Sequence, residues 1–355
     1  YSHAGVEFNV NSPKQLGEIL FEKLNIKAGS GRRKKTATGQ LSTKESELVK
    51  LKDEHPIIGD ILQYRELAKL LGTYIDAIPP LLGKDGRLRT TFSQTGAATG
   101  RFSSRDPNLQ NIPIKSEAGR KIRRAFVAEK GKLLAAFDYS QIELRLAAFL
   151  SRDEKLIQIF KDGQDVHAAV AAQMFGVSQD EVTYEMRRRA KVINFGILYG
   201  MGVNALKTNL DVERAEAQEY LNKYFETFAG LAEYIDKTKA EATRLGYTTT
   251  HFGRKRYFPG LKSKLPFVRA SAERMAINAP MQGTQADMIK LAMVEVQREI
   301  DTTFSGKVSM VLQIHDELIF EVDENALETF APRATKIMES ILTEEETGGV
   351  PILVS

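Results

Sequence analysis

The chain has 355 residues, 42% of them hydrophobic, no cysteine and a formal net charge of +4. That length and apolar content can bury a sizeable core in two or three subdomains, while the missing cysteine excludes disulfide frameworks and thiolate metal sites and fits a reducing compartment. No apolar run approaches the ~20 residues of a membrane span, no signal peptide opens the chain at Tyr1, and the mild positive charge permits a polyanionic partner without demanding one.

The first predicted element is the amphipathic helix of PKQLGEILFEKL, announced by Ser12 as a cap and Pro13 in the first turn. Residues 27–40 break the pattern with a Gly/Ser/Thr-rich run carrying Arg32, Arg33, Lys34 and Lys35. It reads either as a solvated loop or as a finger that touches nucleic-acid phosphates. Ser42 and Glu45 resemble a capping box for the next helix. A helical segment from Ile57 to Ile78 closes at Pro79 and Pro80, so the first 85 residues form a small helical unit. Arg87 to Phe92 is strand-like, and TGRFSSRDPNLQNIP, Thr99 to Pro113, is an irregular polar run. Its Arg101, Asn108, Gln110 and Asn111 suit phosphates or base edges, or simply a polar surface.

LLAAFDYSQIELR, Leu133 to Arg145, is predicted to be a buried strand ending in Asp138 that turns into a helix near Gln141. A carboxylate at the end of an apolar run costs several kcal/mol to desolvate unless a cation meets it. A second acid answers to it further on, where Val308 to Ile314 and Leu318 to Val322 are strand-like runs joined by a tight hairpin of His315, Asp316 and Glu317. Asp138 and Asp316, if neighbours in one sheet, could bridge two divalent ions of a phosphoryl-transfer site. Between them come helical stretches at Glu154 to Lys161 and Gln164 to Phe175, then EMRRRAKVINFGILYG, Glu185 to Gly200. Arg187, Lys191, Phe195 and Tyr199 recur every four residues there as a stripe of two cations and two aromatics. Such a stripe suits a nucleoside triphosphate, and equally an amphipathic helix with a solvated basic end, seated by Ala190, Ile193 and Ile197. Gly196 inside it points to close packing or close ligand approach.

DYSQIELR, RRRAKVINFGILYG and QIHDELIFE, in this order and at these separations, resemble motifs A, B and C of the family A DNA polymerases. TGRFSSRDPNLQNIP, GYTTTHFGRKRYFP and ERMAINAPMQGTQADMIK extend the resemblance over nearly the whole chain. It implies an α+β, right-hand polymerase module with an antiparallel palm sheet. A partial thumb would cover residues 1–86, the palm 87–164 and 263–355, and the fingers 165–262. The implied activity is DNA-directed DNA polymerisation, adding deoxynucleoside triphosphates to a primer 3′-hydroxyl with two Mg²⁺ ions, Mn²⁺ being a substitute.

Carried over residue by residue, the resemblance makes Asp138 and Asp316 the metal-binding aspartates, with the Tyr139 carbonyl as a further ligand. Glu317 becomes an accessory acid, or else a solvated hairpin carboxylate. Arg187, Lys191 and His167 would meet the triphosphate, and Lys191 is also the candidate general acid at the leaving pyrophosphate. Phe195 would pack on the incoming nucleotide, Tyr199 would sit near the templating base, and Gln141 joins the nucleotide-binding set. Glu143 matches a steric gate against the ribose 2′-hydroxyl. Arg101, Asn278, Gln282 and His315 match donors to minor-groove acceptors, which occur at every base pair and so test geometry without reading sequence. Arg254, Lys34 and Lys35 are looser candidates for phosphate contact. The implied partners are primer-template DNA and dNTP, with no membrane. A cytoplasmic monomer is expected, nucleoid-associated if bacterial, and an organellar origin stays open.

The chain departs from the family pattern at Phe102, where leucine is usual, at Met201 to Val203, and at the end, where a final stretch is expected to be truncated and edge closure of the sheet is in doubt. No room is expected for an exonuclease or a 5′-nuclease domain. Two rivals stand beside this reading: a single-subunit RNA polymerase of the phage type, and a non-catalytic primer-template binder.

Overall fold

The computed structural model describes residues 1–27, 39–114 and 116–355. These fall into two compact units, one of Tyr1–Thr90 with Asn111–Phe126 and one of Thr91–Gln110 with Val127–Ser355. Lys34 and Lys35, with the rest of the basic run from residue 28 to 38, lie outside the described residues.

In the first unit, α1 (Pro13–Gly17) starts as its sequence predicts: the Ser12 hydroxyl accepts from the Gln15 N–H and Pro13 fills the first turn. The helix continues as a wider π turn, Glu18–Lys23. The expected capping box at α2 (Glu45–Leu48) is absent. Its cap is Lys44, and the Ser42 hydroxyl accepts from the Lys44 N–H at 3.3 Å, closing a local turn before the helix begins. α3 (Pro56–Leu70) carries Ile57, Ile58 and Ile61 into a core with Leu16, Leu20 and Leu48. α4 (Glu117–Arg123) belongs to the same unit, where the Tyr74 hydroxyl donates to the Asn111 carbonyl at 2.6 Å.

The second unit is built on a three-stranded antiparallel sheet, β3 (Lys132–Asp138), β7 (Glu317–Asp323) and β6 (Val308–Ile314), in the order β3-β7-β6. The predicted strand and hairpin therefore form, but β3 is not the buried strand expected. Leu133 and Leu134 are exposed at 42% and 45%, because β3 is an outer strand whose first half is only partly covered by the described residues. Its second half is anchored by Phe137, packed edge-on against Phe320 at 5.6 Å and Phe330 at 5.9 Å. The last residues pair along the end of β3: Ser355 and Asp138 exchange main-chain bonds of 3.0 and 2.9 Å, and the Ser140 N–H donates to the Leu353 carbonyl at 2.9 Å. This pairing covers the sheet edge at Asp138, the last residue of β3, and leaves the first half of the strand at the edge.

Thr99 to Pro113 is less irregular than expected. β2 (Ser103–Arg105) pairs with β1 (Thr91–Ser93), and a 3₁₀ turn follows at Leu109–Asn111. Polar residues form this hairpin because Ser104 is buried and bonded, its hydroxyl accepting from the Leu109 N–H at 2.9 Å. The strand expected from Arg87 to Phe92 shrinks to β1.

Helices α5 (Ile142–Ser151), α6 (Glu154–Lys161), α7 (Val166–Phe175), α8 (Tyr184–Leu198), α9 (Val203–Leu210), α10 (Arg214–Thr227) and α11 (Ala229–Leu245) follow β3. A small hairpin of β4 (Tyr247–Thr249) and β5 (Lys255–Tyr257) leads to α12 (Pro266–Thr303), and α13 (Leu327–Glu339) and α14 (Glu344–Thr347) close the chain. Ala190, Ile193 and Ile197 seat α8 in the helical core, as their spacing predicts. Gly196 serves packing: a Cβ there would lie 3.1 Å from the Met201 sulfur. The mixture of helices with antiparallel sheets is the α+β class expected.

Candidate active site

The pairing register brings the two acids together. Asp138 stands opposite Glu317 at the junction of β3 with β7, and the Tyr139 N–H donates to the Asp316 carbonyl at 3.2 Å. Two turns in left-handed backbone make this arrangement. His315, with φ 55°, tightens the β6–β7 hairpin, and Gln141, with φ 52°, swings the chain from β3 into α5. Left-handed non-glycine residues cost on the order of 1–2 kcal/mol each and collect at functional sites.

The Asp316 pKa is raised to about 6, first by burial and then by the charge of Asp138. Asp138 reaches the surface, yet the protein around its carboxylate removes enough water to raise its pKa too. Two crowded carboxylates without a bonded cation form an oxygen-only donor set of the kind a hard divalent ion prefers. Among the described residues no group of three or more His, Asp or Glu is gathered closely enough to hold a metal alone. Ions here would complete their shells with backbone carbonyl, water or substrate oxygens, as Mg²⁺ commonly does. Tyr139 itself is buried, its hydroxyl donating to the Met338 carbonyl at 2.8 Å.

The raised pKa predicts a pH effect. A folded-state carboxyl that holds its proton more tightly than the unfolded one stabilises the fold below about pH 4, and that contribution is lost as pH rises through about 6. Asp316→Asn should therefore melt higher than the wild type above pH 6 in metal-free buffer, by on the order of 2 kcal/mol, and level with it at pH 4. Melting curves in EDTA across pH 4–8 check this; a gap independent of pH would contradict it.

Beside the acids lies a polar cluster. Arg101 donates to Glu143 at 2.7 Å and also to Gln285, and the Tyr199 hydroxyl donates to the two Glu143 oxygens at 3.0 and 2.7 Å. Burial, then Glu143, pushes the Tyr199 phenol up to about 12, and Gln282 hydrogen-bonds the same phenol. The Arg101 charge also reaches His315, whose imidazole pKa is lowered by partial burial and then by that charge. Arg101, Glu143, Tyr199, Gln282 and His315 thus share one neighbourhood with Asp316. Gln285 was not singled out from the sequence, although it lies seven and three residues beyond Asn278 and Gln282, on their helical face.

The remaining candidates are placed differently. Asn278 is buried and donates to the Leu198 carbonyl at 3.0 Å, tying α12 to the end of α8. Arg187 grips Asp165 through Nε at 3.1 Å and Nη2 at 2.6 Å. Burial works to raise the Asp165 pKa, but Arg187 and the Ala168 N–H together hold it low. Lys191 is exposed and bonded to no described residue. Phe195 is half-buried with its ring 5.8 Å from that of His167, itself only 4% exposed. Arg254 donates to the buried Asp287 at 2.7 Å through Nε and 2.5 Å through Nη2, so much of its charge is spent inside the protein. Glu317 is half-buried at the start of β7.

The chain is similar along its length to known proteins. The family model described as DNA polymerase family A matches residues 1–355. The chain is 48% identical over 339 residues to the thermostable DNA polymerase I of Thermus aquaticus, covering 95% of this chain and 40% of that protein. It is 46% identical over 359 residues to DNA polymerase I of Pseudomonas aeruginosa, covering 100% of this chain and 38% of that protein. The chain thus spans about two fifths of the length of these relatives. Among solved structures, the POL domain of Pol1 from M. smegmatis, in complex with DNA primer-template and dNTP, superposes with a TM-score of 0.92 at 42% identity, covering 100% of this chain and 61% of that one. With two acids meeting at a strand-end junction and a family match along its full length, the chain belongs to DNA polymerase family A.

Proposed function

We propose that this chain is a DNA-directed DNA polymerase module that adds deoxynucleoside triphosphates to the 3′-hydroxyl of a DNA primer. The observation that carries the reading is the junction of Asp138 and Asp316, two carboxylates brought together by strand register and left without a bonded cation. The names of the relatives, and the primer-template and dNTP bound to the solved neighbour, support the same chemistry. Asp138 and Asp316, with the Tyr139 carbonyl, would hold two Mg²⁺ ions. Such ions lower the pKa of a bound hydroxyl and neutralise triphosphate charge.

The protein's own groups divide the remaining work. Lys191, exposed and unbonded among the described residues, is available to the phosphates and to the leaving pyrophosphate. Arg187 must exchange Asp165 for phosphate oxygens, and Phe195 offers a face for the incoming nucleotide. Arg101, Gln282 and His315 are donors for minor-groove acceptors, with Arg254 as a flanking cation. Residues 1–86 would serve as thumb, 87–164 and 263–355 as palm, and 165–262 as fingers, with α8 rotating to close over the nucleotide.

Glu143, held by Arg101 and Tyr199, is the proposed gate against ribose. Glu143→Ala should raise ribonucleotide use relative to deoxynucleotide use by on the order of 10–100-fold, since only one added hydroxyl is being excluded. Competitive primer extension with both nucleotide types measures the ratio. Unchanged discrimination would remove Glu143 from that role, and extension by the wild type with ribonucleotides alone would favour an RNA polymerase.

A further inference from the structure

Beside α8 lies a buried polar pair in which His167 is a triphosphate candidate by resemblance and Asn194 has no role assigned so far. Asn194 is fully buried, and its Nδ2 lies 3.1 Å from His167 Nδ1. The other terminal atom of Asn194, Oδ1, is buried with no partner among the described residues. The His167 ring, only 4% exposed, packs 5.8 Å from Phe195, and the charges of Asp165, Arg187 and Lys191 all reach it. Its Nε2 hydrogen-bonds no described residue.

The orientation of the amide decides the proton. With Nδ2 toward the ring, as the structure has it, Asn194 donates one N–H to Nδ1, and Oδ1 and the second N–H are left without a partner among the described residues. Turned over, the amide would accept from an Nδ1–H and bury two unsatisfied N–H donors instead. Each arrangement leaves two groups unsatisfied, but an orphaned buried N–H is tolerated less often than an under-satisfied carbonyl oxygen, so the first, with one such N–H rather than two, is the less costly. In it Nδ1 is an acceptor, and a neutral ring must carry its hydrogen on Nε2. Burial, the largest influence on this imidazole, lowers its pKa to about 4 and keeps it neutral near pH 7.

We infer that Asn194 is a positioning residue, locking His167 as the Nε2–H tautomer so that a neutral donor stands beside Arg187 and Lys191 for a phosphate oxygen of the incoming triphosphate. The inference rests on the polymerase reading for its ligand. A donor without charge suits a place between two cations, where a third positive charge would be repelled. The opposite tautomer would aim an acceptor lone pair at a polyanion.

The test is the ring-nitrogen spectrum of the full chain labelled with ¹⁵N-histidine, with His167→Gln identifying the signal among five histidines. The wild type should show a protonated Nε2 and an unprotonated Nδ1, and tripolyphosphate alone should shift the Nε2 resonance. Asn194→Leu, which also removes the unsatisfied oxygen, should lose the tautomer preference and raise KM for dNTP about tenfold with a smaller change in kcat. In the His167→Gln background the same substitution should add little, because the two residues act as one unit. An Nδ1–H tautomer in the wild type, an Nε2 resonance indifferent to tripolyphosphate, or additive effects of the two substitutions would overturn the inference. Absence of primer extension by the wild type would instead sink the polymerase reading, while the spectrum and the titration judge Asn194 separately.

Discussion

Asp138→Ala is expected to lower primer extension by at least about 10³-fold while leaving the fold intact. Asp138 and Asp316 meet at the strand junction, and among the described residues no cluster of three ligands can compensate for the loss of one of them. Losing one carboxylate leaves a single acid to hold any ion, and it also lets the Asp316 pKa fall, because the Asp138 charge is its second cause of elevation after burial. The variant should melt no lower than the wild type in metal-free buffer, since a strained charge has been removed rather than a bonded one. Single-nucleotide addition and a thermal melt on the same preparation check both halves. Residual extension within tenfold of the wild type would place the chemistry elsewhere.

Arg145→Ala should give the largest loss of stability, on the order of 3 kcal/mol. Arg145 is 6% exposed and donates through Nε to the Ser140 carbonyl at 2.8 Å and through Nη1 to the Pro351 carbonyl at 2.6 Å. Its guanidinium lies 4.7 Å over the Phe160 ring. Burial lowers its pKa to about 10 against the opposing charge of Glu339, so carbonyls and an aromatic face, rather than a bonded carboxylate, hold the cation. Truncation would strand two carbonyls, open a cavity and loosen the final segment from Ser140, two residues beyond Asp138. Arg145→Met, which keeps the aliphatic stem, should lose roughly half as much. Urea unfolding measures both, and a loss below about 1 kcal/mol for the alanine variant would show that neighbouring groups take over the carbonyls.

What the sequence made legible follows from how local the signal was. Asp138 and Asp316 could be found because each sits where an apolar strand pattern stops, and the α8 stripe because cations and aromatics recur every fourth residue. Ala190, Ile193 and Ile197 were readable as the seat of α8 for the same reason. The solvated first half of β3 was not, since Leu133 and Leu134 look like any buried run, and only the strand order reveals an edge. The missing capping box at Ser42 shows a hydroxyl captured by a turn that the pattern cannot distinguish from a helix start. Asp165, Asn194 and Gln285 escaped notice because their roles are set by partners 22, 27 and 184 residues away. Likewise the sequence offers Arg254 as a candidate for phosphate contact and gives no sign of its pairing with the buried Asp287, 33 residues away.

The most direct measurement is to mix the chain with a labelled primer annealed to a longer DNA template, Mg²⁺ and the single dNTP complementary to the next template base. A primer lengthened by one nucleotide, with pyrophosphate released and with no product from the matching ribonucleotide or from Asp316→Asn, is the result this account predicts. A primer-template that binds yet stays the same length with every nucleotide would contradict it, and would make the chain a binder of primed DNA.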